Sequence, residues 1–265
     1  MSAPETLARH LLQIRADARP VILNQWPASP ARPADETEAY AAQEAAEAIR
    51  TGEQGLKPIG YKIGATNQLA RDLLGVTTPF YGRLYDGSSG PGPGRLELKP
   101  GVNLVVEPEV AVRLGRDLDA AGGPVTAADA EAAVEALLPI FEVVDSCFVP
   151  WTEAGGPLLI ADNGAHGSWV MGTEVTDWQG FDPLDSPVTV RGAPDGTLTG
   201  TGRAVDGGAF GAVAWLANKL AARGRRLKAG EYVSTGTVTP PIALARGQEL
   251  TADFGPLGRV SLHVT

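Results

Sequence analysis

Glu107 and Glu109 flank Pro108 inside an otherwise apolar run, Asn103 to Leu114. Side chains two apart on a strand point to the same face, so both carboxylates project into one small region. Like charges there repel, and in a buried region each ionised carboxylate costs several kcal/mol unless it is paired. A third acid, Glu142, interrupts a second apolar run, LLPIFEVVDSCFV, and Asp145 follows three residues on, facing the other way on a strand, so that one of the two points to a site while the other caps a turn or pairs with a cation. Three glutamates from two strands make an all-oxygen cage suited to a hard divalent ion such as magnesium or manganese. The alternative is an edge strand, because Pro108 cannot donate to a ladder and both glutamates would then simply face water.

Other polar positions lie near strand ends. Lys62 sits in a short apolar strand, IGYKIG, ahead of a helix that Asn67 can cap; read alone, a lysine there snorkels to water. Asp86 occupies a turn in YGRLYDGSSGPGPGRL, whose prolines remove the amide donors a phosphate loop needs. VDGGAFGAVAWLANKL mimics a nucleotide turn, but no apolar strand precedes it, so it reads as a glycine entry into a helix. LLIADNGAHGSWVMG is a polar loop carrying Asp162, Asn163 and His166, the last expected at the surface unless it contacts a substrate. No serine stands in a G-x-S-x-G elbow, and Cys147 has no basic residue near it in sequence, so nucleophilic catalysis has little support. His10 and His263 fall in helix-like and strand-like patterns.

These residues need elements to hold them. Leu7, Leu11 and Ile14 recur at helical spacing, and a second helix opens with Asp35 three residues before Glu38 and ends at Gly52. A third, short helix covers NQLARDLLGV. Past residue 80 short β-like runs take over, interrupted by two further helices, TAADAEAAVEALL with Thr126 as N-cap and GAVAWLANKLAARGRR. The pattern is α+β, not alternating βαβ, with an N-terminal helical region over residues 1–80 and a β region over 81–265. A 43% hydrophobic content supports a real core over 265 residues. The net charge of −9 disfavours nucleic acid or an anionic membrane as partner and points to a small molecule. One cysteine excludes an intrachain disulfide, the amphipathic N-terminus is no signal region, and no apolar run reaches 18 residues, so a soluble cytoplasmic protein is expected.

Taken in order, GYKIGATN, YGRLYDG, VVEPEVAVRL, FEVVDS, IADN, VAWLANKL and LKAGEYVSTGTVTPPIAL resemble the 2-keto-4-pentenoate hydratase family of the fumarylacetoacetate hydrolase superfamily over nearly the whole chain. The resemblance implies a mixed β-sheet roll with an N-terminal helical region, and magnesium or manganese held by Glu107, Glu109 and Glu142. It implies Lys62 and Asp86 as proton carriers, and Asn163, His166 and Thr235 as substrate contacts. The activity implied is metal-dependent hydration of a 2-hydroxy-2,4-dienoate or 2-oxo-enoate by a homo-oligomer. A 4-oxalocrotonate-type decarboxylase is the near alternative; a C–C bond hydrolase or a non-catalytic 2-oxo-acid-binding member stands further off. Members often carry Arg where Cys147 stands, small residues in place of His166, and a second acid and a methionine in place of Gly87 and Ser88.

Overall fold

The computed structural model describes residues 1–98 and 104–265. Asn103, at the head of the apolar run that carries Glu107, lies outside the described residues. Helix α1 (Ala3–Asp17) starts where the Ser2 hydroxyl accepts from the Glu5 N–H and stops at Ala18 in the left-handed region. After the short strand β1 (Val21–Ile22), α2 (Glu36–Gly52) starts at Asp35, whose carboxylate accepts from the Glu38 N–H. Glu38 reaches back to the Ala34 N–H, one residue beyond the position a closed capping box would use. Strand β2 (Pro58–Gly64), helix α3 (Gln68–Leu74) capped by Asn67, and β3 (Phe80–Tyr85) lead into β4 (Ser89–Pro91) and β5 (Gly94–Leu96). Next come β6 (Val105–Leu114), α4 (Ala127–Glu131), β7 (Val134–Val144), β8 (Phe148–Val149), α5 (Gly156–Ala161) and β9 (His166–Met171). The chain ends with β10 (Val188–Ala193), β11 (Gly196–Gly200), α6 (Gly208–Ala221), β12 (Tyr232–Thr237), β13 (Ile242–Ala243), β14 (Glu249–Asp253) and β15 (Arg259–Val264).

An eight-stranded mixed sheet in the order β3-β2-β12-β6-β7-β9-β4, with β13 added on β6, forms the frame. A five-stranded sheet, β11-β10-β14-β15-β5, lies against it, β15 packing on β7 and β9. The expected α+β roll is thus present. Strand β2, inside the first eighty residues, pairs with both β3 and β12 and so belongs to the main sheet.

Two expectations are corrected. Strand β6 is no edge: it lies between β12 and β7, and its proline is tolerated beside a one-residue shift in the β12 register between Ser234 and Thr237. The segment TAADAEAAVEALL is helical only over α4, which Thr126 and Asp129 close with a full capping box; Val134 onward is strand β7. Ten pairings with β6, from Val105 opposite Val144 to Leu114 opposite Val134, override the helical preference of Ala, Glu and Leu there.

Two helices clamp the sheet from its N-terminal side. Buried Gln43 on α2 donates to the carbonyls of Tyr81 on β3 (2.9 Å) and Ile160 on α5 (2.8 Å), tying strand and helix together. From α1, Arg15 reaches the end of α5, where its Nε donates to Asp162 Oδ1 (2.9 Å), and the loop after β7, where its Nη1 lies 3.7 Å from Asp145 Oδ2. The other Asp162 oxygen accepts from the Cys147 N–H (2.8 Å) and the Ser146 hydroxyl (3.1 Å). An arginine therefore does reach this loop, from position 15 instead of 147. Arg15→Leu should leave the fully buried Asp162 carboxylate without its cation and lower stability by roughly 3–5 kcal/mol, the cost of breaking a buried pair from one side. Calorimetric melting checks this; an unchanged melting temperature would mean that the pair holds nothing.

Candidate metal centre

On the β6/β7 ladder Glu107 stands opposite Glu142, and Glu109 opposite Ile140. Directly opposed residues share a face. The two strands therefore set all three glutamates on one side of the sheet, with one carboxylate oxygen from each lying within 4.8 Å of the others. Glu109 and Glu142 are fully buried, and Glu107 is half-buried. Toward the sheet interior the face continues as a cluster of Leu84, Ala111, Leu138, Ile140 and Trp169.

Each buried glutamate has one oxygen held and one bare. Glu109 Oε2 accepts from the Ser234 hydroxyl and from the Gly236 N–H (3.0 Å), while its Oε1 has no partner. Gly236 adopts φ +119°, and a Cβ there would come within 2.1 Å of Thr66 Oγ1, so the amide that holds Glu109 belongs to a position only glycine fills. On Glu142, Oε1 faces Lys62 Nζ at 3.3 Å and His166 Nδ1 at 3.1 Å, and Oε2 has no partner. A buried polar atom without a partner costs about 1–3 kcal/mol, and more when charged. Two such oxygens in one cluster, beside a third carboxylate, fit a hard divalent cation.

The electrostatics agree. Burial first, then the charge of Glu142, pushes the Glu107 carboxyl up to about 7 against the pull of Lys62. Glu109 is pushed well above the ordinary carboxylate range by burial and by both neighbouring glutamates. Burial draws Lys62 down, but the three glutamates outweigh it, so Lys62 is raised and stays an ammonium. Its Nζ also donates to the Gly164 carbonyl (3.0 Å). Instead of snorkelling to water, the side chain is buried. His166 is lowered by burial despite Glu142, which keeps the imidazole neutral.

The other candidates separate. His166 is buried, not on a surface loop. The Asn163 side chain is spent on β3: its amide donates to Arg83 O (2.9 Å) and its oxygen accepts from Arg83 N–H (2.7 Å), which fixes the Gly164 carbonyl beside Lys62. Thr235 points to the other side of β12 and donates to Val110 O (2.7 Å). Asp86 is exposed, accepts from the Lys57 N–H (3.0 Å), and lines no part of the cavity at Lys62. Ser234 and Gly236, two apart, take the role on Glu109; strand alternation within YVSTGTV is the signal that distinguishes them from Thr235. Cys147 is buried, its thiol pushed well up by burial and by Asp162.

A cavity is lined by Lys62 and Glu107, by the apolar side chains of Leu74, Phe80, Trp151 and Leu159, and by Asn67 and Thr237. Among the described residues that line it, Lys62 is the only cation. Trp151, on the short 3-10 turn Trp151–Glu153, had no signal in the sequence.

Residues 86–265 match the family model described as fumarylacetoacetate (FAA) hydrolase, C-terminal. The chain is 34% identical to 2-keto-4-pentenoate hydratase 2 of Dechloromonas aromatica (strain RCB), over 98% of its own length and 96% of that protein's. It is 32% identical to a 4-oxalocrotonate decarboxylase of Pseudomonas putida, over 80% of this chain and 79% of the other. Among solved structures, the 4-oxalocrotonate decarboxylase from Pseudomonas putida G7 complexed with magnesium and adipate superposes with a TM-score of 0.85 at 27% identity, covering 98% and 96% of the two chains.

Glu109→Gln keeps the side chain's size but removes one of the three charges. Manganese or magnesium affinity measured by titration calorimetry should fall strongly while the fold persists; a variant that binds as tightly as the parent would remove Glu109 from the ligand set.

Proposed function

This chain belongs to the fumarylacetoacetate hydrolase family, and from that membership we propose that it hydrates a 2-hydroxy-2,4-dienoate, by way of its 2-oxo-enoate tautomer, to a 4-hydroxy-2-oxo acid. Glu107, Glu109 and Glu142 would hold a magnesium or manganese ion. When bound, such an ion supplies Lewis acidity toward the oxygens of a 2-oxo acid.

The protein's own residues account for the proton traffic. Ketonisation removes the proton from the 2-hydroxyl and places one on C5, giving a conjugated 2-oxo-3-enoate. Water then adds hydroxyl to C4 and a proton to C3. Lys62, a buried ammonium at the cavity wall, gives its proton to C5, takes one from the attacking water as the hydroxyl bonds to C4 and passes it to C3, and is recharged by the proton shed from the 2-hydroxyl. The Gly164 carbonyl and Glu142 hold its Nζ in place between proton transfers.

The observation that carries hydration over decarboxylation is the apolar part of the cavity lining. Leu74, Phe80, Trp151 and Leu159 suit the hydrocarbon end of a monoacid, and none of the described lining residues there is cationic. A second carboxylate at that end would be desolvated without a partner, which costs several kcal/mol.

The substrate is a small molecule; that the enzyme works in the cytoplasm as a homo-oligomer is part of the same proposal. No helix among the described residues is long and apolar enough to cross a membrane. Leu69 and Leu73, both exposed on α3, offer apolar surface for self-association.

With magnesium present, 2-hydroxypenta-2,4-dienoate should lose its diene absorbance and give 4-hydroxy-2-oxopentanoate by NMR. Carbon dioxide released from 2-oxohex-3-enedioate, with the dienoate accumulating unhydrated, would replace hydration by decarboxylation. Lys62→Met should keep manganese binding yet lower turnover by roughly 10²-fold or more, the usual range for a general acid–base group. Near-parental turnover would move the proton carrier elsewhere.

A further inference from the structure

Strand β9 carries a register shift opposite Val143 and Val144. Glu142 pairs with Trp169 and Val143 with Ser168, but Val144 pairs with His166, so Gly167 is an extra residue in the ladder. Regular alternation from Trp169 would send the side chain of His166, three residues away, to the opposite face. The bulge reverses that, and His166 arrives on the face of Glu142. Gly167 is the residue this close approach permits: a Cβ there would lie 2.7 Å from Asp145 Cβ and 2.9 Å from Val143 O.

The imidazole so placed bridges two groups. Nδ1 lies 3.1 Å from Glu142 Oε1 and Nε2 lies 3.4 Å from Ser88 Oγ. A carboxylate that holds a metal has no proton to give, so Nδ1 carries the hydrogen and donates, leaving Nε2 as an acceptor faced by the Ser88 hydroxyl, whose one proton is divided between it and the Tyr85 carbonyl at 3.2 Å. The donated bond occupies Oε1 and leaves Oε2, the oxygen without a partner, as the free one.

We propose that His166, oriented by Ser88 and by the Gly167 bulge, is a positioning residue for the metal centre: it fixes the Glu142 carboxylate so that Oε2 is presented as a ligand. The inference rests on the three-glutamate reading. Partners of this kind hold a ligand in its binding orientation, and losing one costs on the order of 10–100-fold in metal affinity. Lys62 shares Oε1 but hangs on a flexible stem, whereas the ring on β9 restricts the carboxylate plane.

The test is manganese titration of the full chain, by calorimetry and by loss of the free-ion paramagnetic resonance signal, on His166→Leu, His166→Asn and Ser88→Ala. Asparagine keeps an N–H donor near the position of Nδ1; leucine fills similar space without one. Affinity should fall on the order of 10–100-fold in His166→Leu. It should be largely retained in His166→Asn and reduced to a smaller extent in Ser88→Ala. A merely structural histidine would instead lower the melting temperature of the metal-free variants and leave their affinities alike. Equal affinities for the leucine and asparagine variants, whether parental or equally weakened, overturn the proposal. If His166→Leu does not fold, Ser88→Ala decides: parental affinity overturns the proposal and weakened affinity supports it. Should the parent protein itself bind no manganese, the three-glutamate reading fails, and this inference with it.

Discussion

Three carboxylates with ligand oxygens within 4.8 Å of one another, two of them fully buried, are an arrangement that a folded chain does not keep without compensation. Around it three strands of the main sheet each supply part of the compensation. Strand β12 brings Ser234 and the Gly236 amide to Glu109, β2 brings Lys62 to Glu142, and β9 brings His166. None of these satisfies the last oxygen of Glu109 or of Glu142. The remaining demand is for positive charge at one point, and an ion of the class that hard oxygen donors select would meet it.

The same crowding prepares Lys62. Burial alone draws a lysine down, but the three acids on β6 and β7 hold the proton on it. A group that is both sequestered and charged can deliver a proton to carbon, which an exposed, hydrated ammonium does poorly. On the proposed reading the substrate's hydrocarbon end would meet Leu74, Phe80, Trp151 and Leu159, which line the same cavity as Lys62 and Glu107.

Much of this was legible in the sequence where local rules decide. The caps at Asp35, Asn67 and Thr126, the helical spacing of Leu7, Leu11 and Ile14, and the shared face of Glu107 and Glu109 follow from short-range geometry. What local rules did not show depends on long-range pairing. Strand β7 overrode a helix-forming sequence because β6 lay beside it, and Asn163 was spent on bridging β3 from a distance of eighty residues. Thr235 was one residue off a face that its neighbours Ser234 and Gly236 occupy. The orientation of His166 depends on a bulge, and that of Arg15 on α1 docking over a loop 130 residues later; neither leaves a periodic trace.

The most direct test is anomalous diffraction from crystals of the protein soaked in manganese, collected on the high-energy side of the manganese edge. The arrangement of β6 and β7 predicts one strong peak bonded to oxygens of Glu107, Glu109 and Glu142 together, at about 2.0–2.3 Å, a span typical of carboxylate oxygens on such ions. A manganese peak elsewhere, with the three glutamates left without an ion, would contradict it.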